Sequence, residues 1–255
     1  MRSLRKGKLV SVAAEGTMKE DDIQTYERYR VHYGELEQAA SYTQQFRPRR
    51  LRDLLQPSVA AGWFIARLEA LALRRLLREN GDGLLVDVPC GSGKTLEHIP
   101  RHPGDRVVGV DSSKVMLSLI PEVIRNNTNL LAADIRRLPF RSESVRIVVC
   151  IRFLHRFSPD DRMTSLFELA RVANSDLILY YSVRTPLTSV ISKCERSLRM
   201  GDRHGLFSCS RSEIESELRA CGLSYVRGIS AMPFFSTGFM VLAAKESKDE
   251  SKPRE

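Results

Sequence analysis

Between residues 84 and 244 the chain alternates short apolar runs with longer stretches in which apolar residues recur every three or four positions. The short runs occupy 84–88, 106–110, 130–133, 145–151 and 177–181, with two more at 224–229 and 238–244. Short continuous apolar runs predict strands buried on both faces, and the wider spacing predicts helices that bury one face. Helices are expected at 94–98, at 114–125 with Val115, Met116, Leu119 and Val123 on one side, at 158–172 with Leu166, Leu169 and Val172 inward, and at 210–220. For 158–172 the start is explicit: Ser158 caps, Pro159 takes the first helical position, and Asp160 and Asp161 sit in the first turn, near the positive end of the helix dipole. Ser210-Arg211-Ser212-Glu213 forms a capping box, and Gly222 supplies a stop. Strands alternating with helices predict an α/β fold: a parallel sheet with helices on both faces.

Residues 21–80 read as a helical extension. The stretch 21–36 carries Ile23, Tyr26, Tyr29 and Tyr33 at helical spacing, a stripe that reads as core. A second helical segment, 51–55, follows Arg47, Arg49, Arg50 and Arg52. That cluster reads as a solvated face, with an anionic substrate or a membrane surface as the alternatives. A third, 60–79, carries Trp63, Ile65, Leu68, Leu71, Leu73 and Leu76 and stops before Asn80-Gly81, so it is expected to pack on the sheet ahead of the first strand. Residues 1–20 read as a disordered basic arm and 246–255 as a disordered charged tail, leaving 81–245 as the main domain.

The chemistry gathers where apolar runs end. The run 84–88 leads into Pro89-Cys90-Gly91-Ser92-Gly93. A sharp strand-to-helix turn needs positive φ, and a backbone that touches a ligand has no room for a side chain, so glycine fits both demands. The next run ends in Asp111, placed to accept both hydroxyls of a ribose, and the third ends in Asp134. A nucleoside held by its sugar is the first expectation. Gly91-Ser92-Gly93-Lys94-Thr95 imitates a phosphate loop, but that loop needs a glycine where this chain has Val88.

Four blocks in this order resemble the class I S-adenosylmethionine-dependent methyltransferases, in particular the branch that makes ubiquinone and menaquinone. They are 86–93, Gly109-Val110-Asp111-Ser112-Ser113, Ala133-Asp134 with Leu138-Pro139-Phe140, and the Leu154-His155 pair. The resemblance covers roughly residues 80–245. It implies a Rossmann-like, seven-stranded, mostly parallel sheet whose last strand is antiparallel, preceded by helices that help cover the site. It also implies S-adenosyl-L-methionine as cofactor. In that reading Asp87 lies near the methionine amino group, with Val88, Cys90, Gly91 and Gly93 around the methionyl and adenosine portions. Asp111, with Ser112 beside it, takes the ribose, and Asp134, with Ile135, takes the adenine. His155 is the histidine placed to act as a base if the acceptor must lose a proton, and Arg152 is placed to hold an acidic substrate group or to pair with a carboxylate.

Composition narrows the partners. The formal charge of +9 reads mainly as a mixed surface, since 28% of residues are charged. The five cysteines have no C-x-x-C spacing, so neither a disulfide framework nor a zinc site is expected, and a reducing, cytoplasmic setting follows, with an organelle transit peptide left open by the acid-free start. No apolar run is long enough to span a membrane. The run after the fourth strand lacks the Asn/Asp-Pro-Pro-aromatic block of the DNA and amino-group methyltransferases, and no RNA-binding module is visible, so a nucleic-acid substrate is not expected. The reading favoured is methyl transfer to a small-molecule or lipid-precursor acceptor, with an anionic character hinted at by Arg184, Lys193, Arg196, Arg199 and Arg203 and with peripheral membrane contact open. A non-catalytic cofactor-binding partner and a nucleotide hydrolase are the alternatives. The oligomeric state is not legible.

Overall fold

A computed structural model describes residues 57–77, 83–100, 104–184, 207–230 and 238–245, together with Glu37 and Ala39. The basic arm, the helices expected at 21–36 and 51–55, the insertion after Arg184 and the charged tail lie outside the described residues. Helix α1 (Pro57–Leu76) leads into β1 (Leu84–Asp87), β2 (Arg106–Asp111), helices α2 (Lys114–Ser118) and α3 (Glu122–Arg125), β3 (Asn129–Ala132) and β4 (Val145–Cys150). Helix α4 (Pro159–Val172), β5 (Ala173–Val183), the two-residue β6 (Ser208–Cys209), helix α5 (Arg211–Ala220), β7 (Leu223–Ser230) and β8 (Gly238–Lys245) complete it.

All eight strands form one sheet in the order β3-β2-β1-β4-β5-β8-β7, with β6 paired to the end of β5. The pairs from β3 through β5 are parallel, and β8 runs antiparallel to both β5 and β7. The expected seven strands are therefore present, and β6 is a short addition that the apolar pattern did not mark.

The central strands lie between two cores, and their side chains divide by alternation. Leu85, Ile147, Val149, Ile178 and Tyr180 join Ala72, Leu73, Leu76 and Leu77 of α1. Val86, Val148, Leu177, Leu179 and Tyr181 join Leu166, Leu169 and Val172 of α4 and Ile214 and Leu218 of α5. This is why those runs read as unbroken apolar stretches.

Caps fall where the sequence placed them. Ser158 Oγ accepts from the Asp161 N–H, and Ser210 and Glu213 complete the capping box. Gly222 takes φ +68° just past α5. Three expectations need correction. The helix expected at 94–98 is a single 3-10 turn, Leu96–His98. The helix expected at 114–125 is two short helices broken at Pro121, which lacks the N–H a continuous helix needs; the buried residues are then Met116, Ile120 and Ile124, while Val123 is 73% exposed. In α1, Leu71 faces out at 54% exposure instead of joining the packed stripe.

One buried ion pair ties α4 to α5. Arg162 is 1% exposed; its Nε donates to Glu217 at 3.0 Å, its Nη1 to the Phe157 carbonyl at 3.3 Å, and its guanidinium lies 5.7 Å from the Tyr181 ring centroid. Removing one partner strands a buried charge, whereas removing both does not. Arg162→Met is expected to cost about 3–5 kcal/mol in urea unfolding, and the double variant Arg162→Met/Glu217→Leu to recover most of that loss. A purely additive pair would show that the two residues stabilise independently.

Candidate active site

Strand order reverses between β1 and β4, so the connections from β1 and β4 leave toward opposite sides and open a crevice at the strand carboxyl ends. Into it project the loop after β1, the turns after β2 and β3, and the segment after β4. They line a cavity of about 490 Å3, well within the usual range for small-molecule sites, about 300–1,000 Å3.

The loop after β1 turns on two glycines, Gly91 at φ +53° and Gly93 at φ +81°. A Cβ on Gly93 would stand 3.2 Å from Ile120 Cγ2, so both its backbone angle and its packing select glycine. Asp111 fastens this loop. Its Oδ2 accepts from the Gly91 N–H at 2.8 Å and its Oδ1 from the Ser113 N–H at 2.8 Å. Burial holds the Asp111 carboxyl above its ordinary value, and the two N–H bonds offset only part of that rise. The carboxylate thus lines the cavity with lone pairs remaining on both oxygens. Ser92, between the glycines, also lines the cavity; it is 2% exposed and its Oγ has no hydrogen-bond partner among the described residues.

Of the residues singled out in sequence, Val88, Cys90, Gly91, Asp111, Ser112, Ile135 and Arg152 line this one cavity. Asp87 is fully buried beneath the loop, where its charge raises the thiol pKa of Cys90 and Cys150 in addition to the larger effect of burial. Cys90 is therefore held as a thiol, not a nucleophile. Asp134 sits between the lining residues Ala133 and Ile135, but its carboxylate is engaged by Arg136, with Oδ2 accepting from Nη2 at 2.8 Å and Oδ1 from the backbone N–H at 2.9 Å. The Leu138-Pro139-Phe140 block is held by α4: Glu168 accepts from the Leu138 N–H at 2.6 Å, and Arg171 donates to the Phe140 and Leu138 carbonyls at 3.0 and 3.2 Å.

His155 falls elsewhere. It lies in the 3-10 turn Leu154–Arg156, is 7% exposed, packs its ring 5.2 Å from that of Tyr180, and is not among the residues that line the cavity. Burial, reinforced by Arg156, Arg152 and Arg162, lowers its pKa to about 3. Its Nδ1 is buried without a hydrogen-bond partner among the described residues.

Helix α1 supplies a wall of the cavity through Trp63, Arg67, Glu69 and Leu73, a contribution the strand-end motifs did not reveal. Glu69 is the key member. It is 6% exposed; its Oε1 accepts from the Tyr180 hydroxyl at 3.0 Å and its Oε2 from Arg152 Nε at 2.9 Å, with Arg152 Nη2 closing an ion pair. Arg152 itself stands at φ +58°, a conformation that non-glycine residues seldom hold without surrounding support. A signal for Glu69 was present: it is the one acid of α1 and it falls among the apolar positions Ile65, Leu73 and Leu76.

Residues 85–176 match the family described as "Methyltransferase domain". The chain is 34% identical over 124 residues to an uncharacterised chloroplastic methyltransferase of Arabidopsis thaliana, and the alignment spans 43% of this chain but only 35% of that relative. Among solved structures, the magnesium protoporphyrin IX methyltransferase of Synechocystis PCC 6803 with bound S-adenosylhomocysteine shares the fold at TM-score 0.70 and 17% identity, covering 86% of this chain and 99% of its own. The same enzyme with bound S-adenosylmethionine gives TM-score 0.64 at 15% identity, covering 92% and 100%. The cyclase SpnF shares the fold too, at TM-score 0.53 and 16% identity, covering 71% and 80%. Domain match and sheet order agree: residues 85–176 match a methyltransferase domain, and the described residues share the fold of a methyltransferase crystallised with S-adenosylmethionine and with S-adenosylhomocysteine.

Proposed function

We propose that the protein transfers a methyl group to a small-molecule or lipid-precursor acceptor that carries an anionic group. The observation that supports this most is the cavity itself, which joins the Gly91–Asp111 end to a wall made by α1 and Arg152. The resemblance of the four sequence blocks to the quinone-biosynthesis branch agrees with a lipid-precursor acceptor.

The residues fit the cofactor on the chemistry of their donors. Asp111 offers a carboxylate to two hydroxyls, the glycine loop offers bare backbone, Ser92 offers an unengaged hydroxyl, and Ala133 and Ile135 offer an apolar surface to a ring. In this reading Asp87, Val88, Cys90, Gly91 and Gly93 border the methionyl end, Asp111 and Ser112 the ribose, and Asp134 and Ile135 the adenine. Bound there, S-adenosylmethionine supplies a methyl group already activated on a sulfonium. What remains for the chain is to orient an acceptor in line with that methyl and to keep water out. Arg152, held by Glu69, is the cation we assign to the acceptor's anionic group.

We assign His155 a structural part. A base with its proton affinity reduced so far is a weak acceptor of protons near neutral pH, and it lies off the cavity. Such burial has a pH consequence. The folded-state pKa of about 3 lies below the ordinary 6.5, so above pH 6.5 both states hold a neutral imidazole and the residue adds no pH dependence. Between 6.5 and 3 the unfolded chain binds the extra proton, and stability falls as pH falls, by on the order of 4 kcal/mol over the window. His155→Leu is expected to flatten that part of the stability curve in urea unfolding at stepped pH. A difference between wild type and variant that does not change with pH would remove the argument.

The cofactor site is tested by calorimetric titration of wild type and Asp111→Ala with S-adenosylmethionine and S-adenosylhomocysteine. Wild type is expected to bind both, and the variant to bind roughly a hundredfold more weakly, the worth of two hydrogen bonds to a charged acceptor. Circular dichroism checks that the variant is folded. Binding of ATP in place of either ligand would reverse the assignment toward phosphate chemistry at Lys94 and Thr95. Binding without turnover across quinone precursors and anionic lipids would point to a non-catalytic partner.

A further inference from the structure

Helix α1 turns one face to the cavity and the sheet and leaves another exposed. On the exposed face stand Phe64 and Leu71, two turns apart, at 50% and 54% exposure. Arg67, Arg74 and Arg75 are exposed around them, and the helix's one acid, Glu69, is buried on the opposite side. Arg227 of β7 reaches the same helix end and donates to the Arg75 carbonyl at 3.2 Å. Among its described residues, this face of α1 is thus apolar at its centre, with arginines around it.

We propose that this face docks on the surface of an anionic lipid bilayer, with Phe64 and Leu71 entering between headgroups and Arg67, Arg74, Arg75 and Arg227 meeting phosphates. A helix that presents aromatic and aliphatic side chains flanked by arginines has the composition of an interfacial helix, because the long basic side chains keep their charge at the headgroups while the apolar ones go deeper. Charge selects this occupant over a second copy of the chain. Pairing two such faces would set arginines against arginines, whereas an anionic leaflet complements all four. The overall charge of +9 adds attraction of the same sign. Location gives the contact a use: Trp63 and Arg67, stacked 5.0 Å apart on the same helix, line the cavity, so a docked α1 brings the cavity rim to the membrane. The surface contact stands whether or not the acceptor is a lipid.

The test is flotation of the full chain with vesicles of phosphatidylcholine alone and of phosphatidylcholine with phosphatidylglycerol, at low and high salt. Wild type is expected to float with the anionic vesicles and to be released by salt. Phe64→Ser/Leu71→Ser should weaken this binding at least tenfold, and Arg75→Gln on the order of fivefold. Both variants are expected to keep S-adenosylmethionine binding, which shows that the loss is not unfolding. Anionic-vesicle binding unchanged in the Phe64→Ser/Leu71→Ser variant would mean net charge alone and would overturn the docking face. No flotation in any condition would overturn it too, as would a dimer in light scattering that the same variant dissolves.

Discussion

The site depends on one carboxylate. Asp111, at the end of β2, accepts one N–H from the loop after β1 and one from the turn after its own strand. A buried carboxylate is costly unless it is hydrogen-bonded, and here each bond is also a positional restraint on a segment that must face the ligand. The strands that converge on this point are set by the sheet register, with Asp87 beside Gly109 and Asp111 beside Ala132. The loop after β1 and the turn after β2 are thus held as one edge by a carboxylate that also lines the cavity.

A second restraint crosses the crevice. Glu69 links α1 to Arg152 after β4 and to Tyr180 on β5. With the bond from Arg227 of β7 to the Arg75 carbonyl, it adds directional restraints to the apolar contacts of α1 with the sheet. The ion pair also fixes the orientation of the Arg152 guanidinium and removes part of its hydration. The same helix turns Phe64 and Leu71 outward. One element therefore carries a cavity wall, an electrostatic anchor and an exposed apolar face at different angles around its axis.

Buried histidine and buried arginine divide by chemistry. His155 escapes the cost of burial by remaining neutral. Arg162 cannot lose its proton and is held instead by Glu217, the Phe157 carbonyl and the Tyr181 ring. Neither is among the residues that line the cavity; His155 packs on Tyr180 and Arg162 lies over Tyr181.

What the chain alone determined was local. Short continuous apolar runs located the strands, and Ser158, Ser210 and Gly222 located helix ends, because these depend on neighbouring residues along the chain. The Gly91–Gly93 loop and Asp111 were readable for the same reason: a positive φ and a strand-end acid leave their mark at the position itself. Tertiary structure decided the rest. Around the break at Pro121, packing decided that Ile120 and Ile124 are buried while Val123 is exposed. Leu71 was drawn as packed because spacing cannot say which of two apolar stripes meets the sheet. His155 reads as a candidate base because chain position puts it after β4, yet the 3-10 turn buries its ring against Tyr180 and it is not among the residues that line the cavity. Glu69 and Arg152 are separated by 83 positions, and only the packing of α1 across the sheet could bring opposite charges that far apart in sequence into one buried pair.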